Sequence, residues 1–144
     1  MADDLTQTEL HWLTITDAAR LIERRQLSPV ELTDALLARI EALDPQLNAF
    51  LLPTPEKARE QAKAAEREIM AGNYRGALHG MPFGLKDIYA TAGIRTTSHS
   101  KICENLVPTD DAAQRRGPAD RAAGIGTKRS GDKTRGNRGA GAAR

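Results

Sequence analysis

The chain has 144 residues, enough for one domain, and its 21 Lys+Arg against 19 Asp+Glu exclude reading the total charge as a nucleic-acid signature. A single cysteine, Cys103, excludes an intramolecular disulfide and a cysteine cluster for zinc, and His11, His79 and His99 have no metal-ligand spacing. The acidic start Met1-Ala2-Asp3-Asp4 lacks the apolar core of a secretory signal, and no run approaches the roughly 18–20 apolar residues that span a bilayer. The expectation is a soluble cytoplasmic protein with no metal, no cofactor and no membrane partner.

In chain order, residues 15–26 read as a helix capped by Thr16 or Asp17, with Ala18, Leu21 and Ile22 on its apolar face. Ser28-Pro29-Val30-Glu31 then combines an N-cap serine, a proline at the first helical position and a glutamate three residues after the cap. The helix it opens carries Leu32, Leu36, Ile40 and Leu43 at helical spacing, widened by Val30 and Leu37. Asp44-Pro45 is expected to end it, because a residue before proline is pushed out of helical geometry. Residues 47–52, bounded by Pro45 and Pro53, read as a strand. Residues 55–71 read as an alanine-rich surface helix stopped by Gly72-Asn73, its charges a solvated face.

The segment Leu78-His79-Gly80-Met81-Pro82-Phe83-Gly84-Leu85-Lys86-Asp87 places one lysine among apolar, glycine and proline residues. An ammonium among such side chains loses hydration, which favours its neutral form, and a neutral lysine can take a proton from a hydroxyl nucleophile. A partly buried lysine paired with Asp87 is the other reading of the same residues. Residues 83–88 alternate imperfectly, as a strand entering a site does, and 92–98 read as a turn followed by an extended piece. Helix, strand, helix and strand make a mixed α/β arrangement. His79 reads as a hydrogen-bonded structural residue, His99 as a solvated loop residue and Cys103 as a passive thiol.

Charge divides the chain. Up to Asp111 there are 12 Lys+Arg against 17 Asp+Glu; beyond it there are 9 against 2. Residues 112–144 hold 7 Gly and 7 Arg, and Ile125 is their one large apolar residue. With no 3.6 or 2.0 period, this segment is expected to be a disordered basic tail.

Several separated runs together resemble the N-terminal part of the amidase signature family. They are Ser28-Pro29-Val30-Glu31-Leu32, Arg39-Ile40 through Leu47-Asn48-Ala49-Phe50, and the Leu78 to Asp87 segment. Thr91-Ala92-Gly93-Ile94-Arg95-Thr96-Thr97-Ser98, Ser100-Lys101-Ile102 and Pro108-Thr109-Asp110-Asp111-Ala112 extend the match, which covers roughly residues 13–112. The resemblance implies an α/β/α enzyme that hydrolyses or transfers amide nitrogen. It also implies a serine nucleophile, a bridging serine with a cis peptide bond, and a lysine that starts the proton relay; Lys86 matches that lysine. The family includes general amidases and the A subunit of a tRNA-dependent amidotransferase, and a stand-alone amidase acting on a small-molecule amide is the first choice.

The chain departs from the family pattern downstream. The Gly/Ser-rich oxyanion loop and both serines are absent, and Ser130-Gly131 is no substitute. One member of a three-member set implies negligible amidase activity for the 144-residue polypeptide. The expected domain organisation is an incomplete amidase-signature part over 1–111 and an out-of-frame tail over 112–144, from a reading-frame shift near residue 113. The alternative is a natural basic tail on a non-catalytic binding polypeptide, without specific nucleic-acid recognition because no aromatic residue interleaves its arginines. Without the rest of the fold, a partly ordered or molten state with exposed apolar surface is expected. The amide substrate and the oligomeric state are left open by the residues. His99 stands where relatives often carry glycine, so a positive φ there implies strain.

Overall fold

The computed structural model describes residues 10–112 and 123–128. Helix α1 (Ile15–Glu23) is followed by α2 (Pro29–Leu47), strand β1 (Phe50–Pro53) and α3 (Pro55–Met70). Strand β2 (Pro82–Lys86), a short 3-10 turn (Lys101–Cys103) and strand β3 (Ala123–Lys128) complete the order. The mixed α/β class expected from the sequence is what the chain forms.

The caps explain most boundaries. Thr14, not Thr16 or Asp17, caps α1. Its Oγ1 accepts from the Asp17 N–H at 3.1 Å and donates to Asp17 Oδ2 at 2.6 Å. The helix ends at Glu23, short of residue 26, because Arg25 adopts a left-handed φ of 58°. Ser28 caps α2 as read from sequence, accepting from the N–H groups of Val30 and Glu31. Its hydroxyl donates across the fold to Glu66 Oε1 at 2.5 Å. Pro45 does not stop α2, which runs on to Leu47. Asn48, left-handed at φ 49°, makes the stop. Its N–H bonds the Asp44 carbonyl, while Asp44 Oδ1 takes the N–H groups of Ala49 and Phe50. Strand β1 accordingly begins at Phe50 rather than at residue 47.

Helix α3 is less superficial than expected. Ala58, Ala62, Ala65 and Ile69 form a buried stripe at helical spacing, and Ala58 and Ala62 have no exposed surface. Alanine here permits close approach to α2 and β3. The polar side chains of α3 are not all idle: Arg59 meets Asp34 at 2.6 Å, and the neutral Gln61 Oε1 accepts from the Gly124 N–H at 3.0 Å.

The sheet has the order β1-β3-β2, with β3 antiparallel to β1 and parallel to β2. Of the segment read as a disordered tail, then, residues 123–128 form the central strand; the rest of 113–144 lies outside the described residues. The lone Ile125, without a period of its own, gains burial from partners distant in sequence. It packs with Leu37 and Ala58, flanked by Ile40 and Phe50. Gly126 is required beside it, since a Cβ there would lie 2.8 Å from the Leu52 carbonyl oxygen. The larger core joins Leu10, Ile22, Leu27, Leu32, Ile69 and Met81 with three alanines. The apolar stripe of α2 does not stay buried to its end: Leu43 is exposed, as is Leu47 beyond it. Among the described residues, no helix is long and apolar enough to cross a membrane.

Candidate active site

Strand β2 delivers Lys86 and Asp87 to the C-terminal end of a parallel strand pair, and residues 87–112 fold back over that end. The loop is tied by backbone bonds. Tyr89 N–H reaches the Lys86 carbonyl at 3.1 Å, Gly93 N–H that of Pro108 at 2.9 Å, and Thr96 N–H that of Leu106 at 3.0 Å. Ala112 N–H closes it on the Ala90 carbonyl, and Asp111 Oδ1 accepts from the Ala92 N–H at 2.7 Å.

Lys86 is exposed. The apolar enclosure expected around it is not formed by the described residues, and neither is the pairing with Asp87. Asp87 is buried, and its carboxylate accepts from the Thr97 N–H at 3.1 Å and the Thr97 hydroxyl at 2.5 Å. Both results follow from where the strand ends. Lys86 is the last residue of β2, and Asp87 is the first of a turn closed by the Tyr89 N–H on the Lys86 carbonyl, which lets its carboxylate seat on Thr97.

The other candidates are not gathered around Lys86. His79 is buried beside α3, where its Nδ1 accepts from the Arg75 backbone N–H at 3.2 Å. That leaves Nε2 carrying the proton toward Glu68 Oε2, 3.0 Å away. Glu68 also holds the Arg75 guanidinium. His79 therefore links the loop before β2 to α3, the structural role read from its sequence context. Next to it, burial and then the charge of Glu23 push the Tyr74 hydroxyl above its usual pKa of 10.0. His99 is exposed with φ 56°, so the strain anticipated at this position is present. Cys103 is a half-buried free thiol in the 3-10 turn. Among the described residues no three His, Cys, Asp or Glu side chains are grouped to hold a metal.

A cleft of about 440 Å³ opens elsewhere, between the end of α2 and the start of α3, lined by Leu37, Ile40, Asp44, Pro53 and Arg59. Two of its polar side chains are already committed, Asp44 to two backbone N–H groups and Arg59 to Asp34. Its lining holds no serine, threonine or cysteine, and it does not include Lys86.

Sequence reasoning missed Thr97 and Asp111, whose partners are 10 and 19 residues away. No local pattern marks such a pairing.

A family model described as Amidase matches residues 31–116. The chain belongs to the amidase family. Among curated amidase-family relatives, the A subunit of the glutamyl-tRNA(Gln) amidotransferase from Roseiflexus sp. (strain RS-1) is 50% identical over 105 residues, 73% of this chain and 21% of that protein. Its counterpart from Geobacter metallireducens is 52% identical over 103 residues, again 21% of its length. This amidase chain thus spans about a fifth of the relatives it matches. Among solved structures, the native peptide amidase from Stenotrophomonas maltophilia superposes with a TM-score of 0.73 at 34% identity, covering 79% of this chain and 24% of that one. A bacterial aryl acylamidase of the amidase signature family gives 0.74 at 27% identity, covering 83% and 25%.

Proposed function

We propose that this chain is part of an enzyme that cleaves a carboxylic amide C–N bond, with Lys86 as the base of a Ser-cisSer-Lys relay. The observation that carries the reading is the family match across residues 31–116, which includes Lys86 at the open end of β2. In the relay the lysine takes a proton from the bridging serine, and that serine takes one from the nucleophile as it attacks the amide carbonyl. Backbone N–H groups of a Gly/Ser-rich loop hold the oxyanion. The 144 residues contain neither that loop nor the serine pair, so the polypeptide by itself has negligible amidase activity, and residues 113–144 derive from a shifted reading frame. Strand β3, seated inside the sheet, is the feature such a frame shift must account for. In the parent the lysine's desolvation would come from parts of the fold other than the described residues.

A second reading is an A subunit of a tRNA-dependent amidotransferase, working in a complex. The identities of 50% and 52% to curated A subunits favour it over the stand-alone amidase preferred from sequence. Either enzyme is expected in the cytoplasm.

Resequencing the coding DNA and translating three frames beyond codon 111 tests the proposal. The expected result is a second frame that supplies a Gly/Ser-rich loop and two serines. The restored protein then hydrolyses glutamine or a simple amide, and Lys86→Ala lowers kcat by about 10²–10⁴-fold. Full activity of the restored Lys86→Ala protein sinks the assignment of the base.

A further inference from the structure

Lys86 and Asp87 are neighbours with opposite surroundings. The ammonium is exposed, whereas Asp87 keeps only 1% of its surface. Asp87 bonds to a single turn. Its carboxylate takes the N–H and the hydroxyl of Thr97, and its carbonyl takes the Ser98 N–H at 3.0 Å. Thr97 opens that turn, closed by the Ser100 N–H on the Thr97 carbonyl at 2.8 Å. Ser98 and His99, the two central residues, have φ of 50° and 56°. Two left-handed central residues define a type I′ turn, which favours Gly, Asn or Asp at both places. Serine and histidine are strained there, and the strain persists only where the surroundings over-determine it. Asp87 supplies three of the bonds that do so. Thr97 Oγ1 supplies another, to the His99 N–H at 3.2 Å.

We propose that Asp87 is the positioning residue for Lys86. Seating its carboxylate on the 97–100 turn fixes the turn that closes β2 and holds the adjacent lysine, the last residue of the strand, in its exposed position. Asp87 acts through Lys86 and touches no reacting atom. The proposal rests on the reading of Lys86 as the base, but its test reads the lysine itself rather than turnover. A failure here is therefore distinct from a failure of the relay, which shows only in the restored enzyme.

The full 144-residue chain is acylated with an N-hydroxysuccinimide ester between about pH 6 and 10, and the modified lysines are counted by peptide mass spectrometry. Exposed Lys63 serves as the internal reference. Hydrogen exchange of the peptide spanning residues 95–103 is followed in parallel. Thr97→Val removes the hydroxyl while leaving the Asp87 charge in place. It is expected to speed exchange of the turn about five- to tenfold, the loss of one buried hydrogen bond. It is also expected to displace the pH–rate profile of Lys86 relative to that of Lys63. Thr97→Ser restores both. A Lys86 profile that superposes on the wild type while turn exchange has risen overturns the proposal, since Asp87 is then only structural. Wild-type turn amides that exchange at the rate of an unstructured peptide overturn it too. Where Thr97→Val does not fold, Asp87→Glu keeps the charge, displaces the carboxylate, and is judged by the same two outcomes.

Discussion

Thr33 is fully buried in α2, and its hydroxyl has no hydrogen-bond partner among the described residues. Burying a hydroxyl without a partner costs about 1–3 kcal/mol, and valine has nearly the same shape without the polar atom. Thr33→Val is expected to raise the unfolding midpoint in urea at unchanged slope; a lower midpoint would show that the hydroxyl is satisfied. Tyr74 carries a pH dependence. Its folded pKa is raised by burial and by Glu23, so the folded state holds the proton more tightly than the unfolded chain. The stabilisation is complete below about pH 10 and is lost as pH rises through the folded value. Thermal midpoints measured from about pH 8 to 11 are expected to fall more steeply for the wild type than for Tyr74→Phe. Parallel curves would contradict this.

Capping decides the elements more than propensity does. Ser28 serves two elements at once, accepting from two N–H groups of α2 and donating to Glu66 of α3. Loss of a serine cap costs about 0.5–2 kcal/mol, and Ser28→Ala also strips the partner from Glu66. Its measured destabilisation is expected at the upper end of that range, with Ser28→Ala/Glu66→Gln less than additive in a double-mutant cycle. Full additivity would show that the contact between the helices contributes nothing. Gly80 also binds these elements. A Cβ at its φ of 78° would meet Pro29 Cβ at 2.8 Å, so the loop into β2 lies against the start of α2 because this residue is glycine.

Across the fold, two clusters carry the core, and many large apolar residues stay outside it. Ile102 is 96% exposed, and Leu106, Val107 and Ile88 lie exposed on the same loop. Leu43 and Leu47 leave the end of α2 uncovered. The polypeptide is expected to bind anilinonaphthalene sulfonate and to melt over a broad range, with helix visible in the far ultraviolet. A sharp cooperative transition without dye binding would count against that state.

Much was legible from residues alone because the signals are local. Ser28-Pro29 with Glu31 marks the start of α2, Pro55 and the alanine-rich run mark α3 to within a residue, and the β2 segment carries the family match. Pro45 misled because α2 runs on through it to Leu47, and the stop is made by a left-handed Asn48 together with the Asp44 carboxylate, which takes the N–H groups of the two residues after Asn48. The surroundings of Lys86, the burial of Asp87 on Thr97, and the place of Ile125 in a central strand depend on partners distant along the chain. Caps, periods and family membership follow from the order of residues, since each rests on neighbours along the chain. Which residue at the end of β2 is buried, and which strand lies between the other two, emerges on folding. Hydrogen bonds and packing between segments make those choices, and no local pattern joins the segments beforehand.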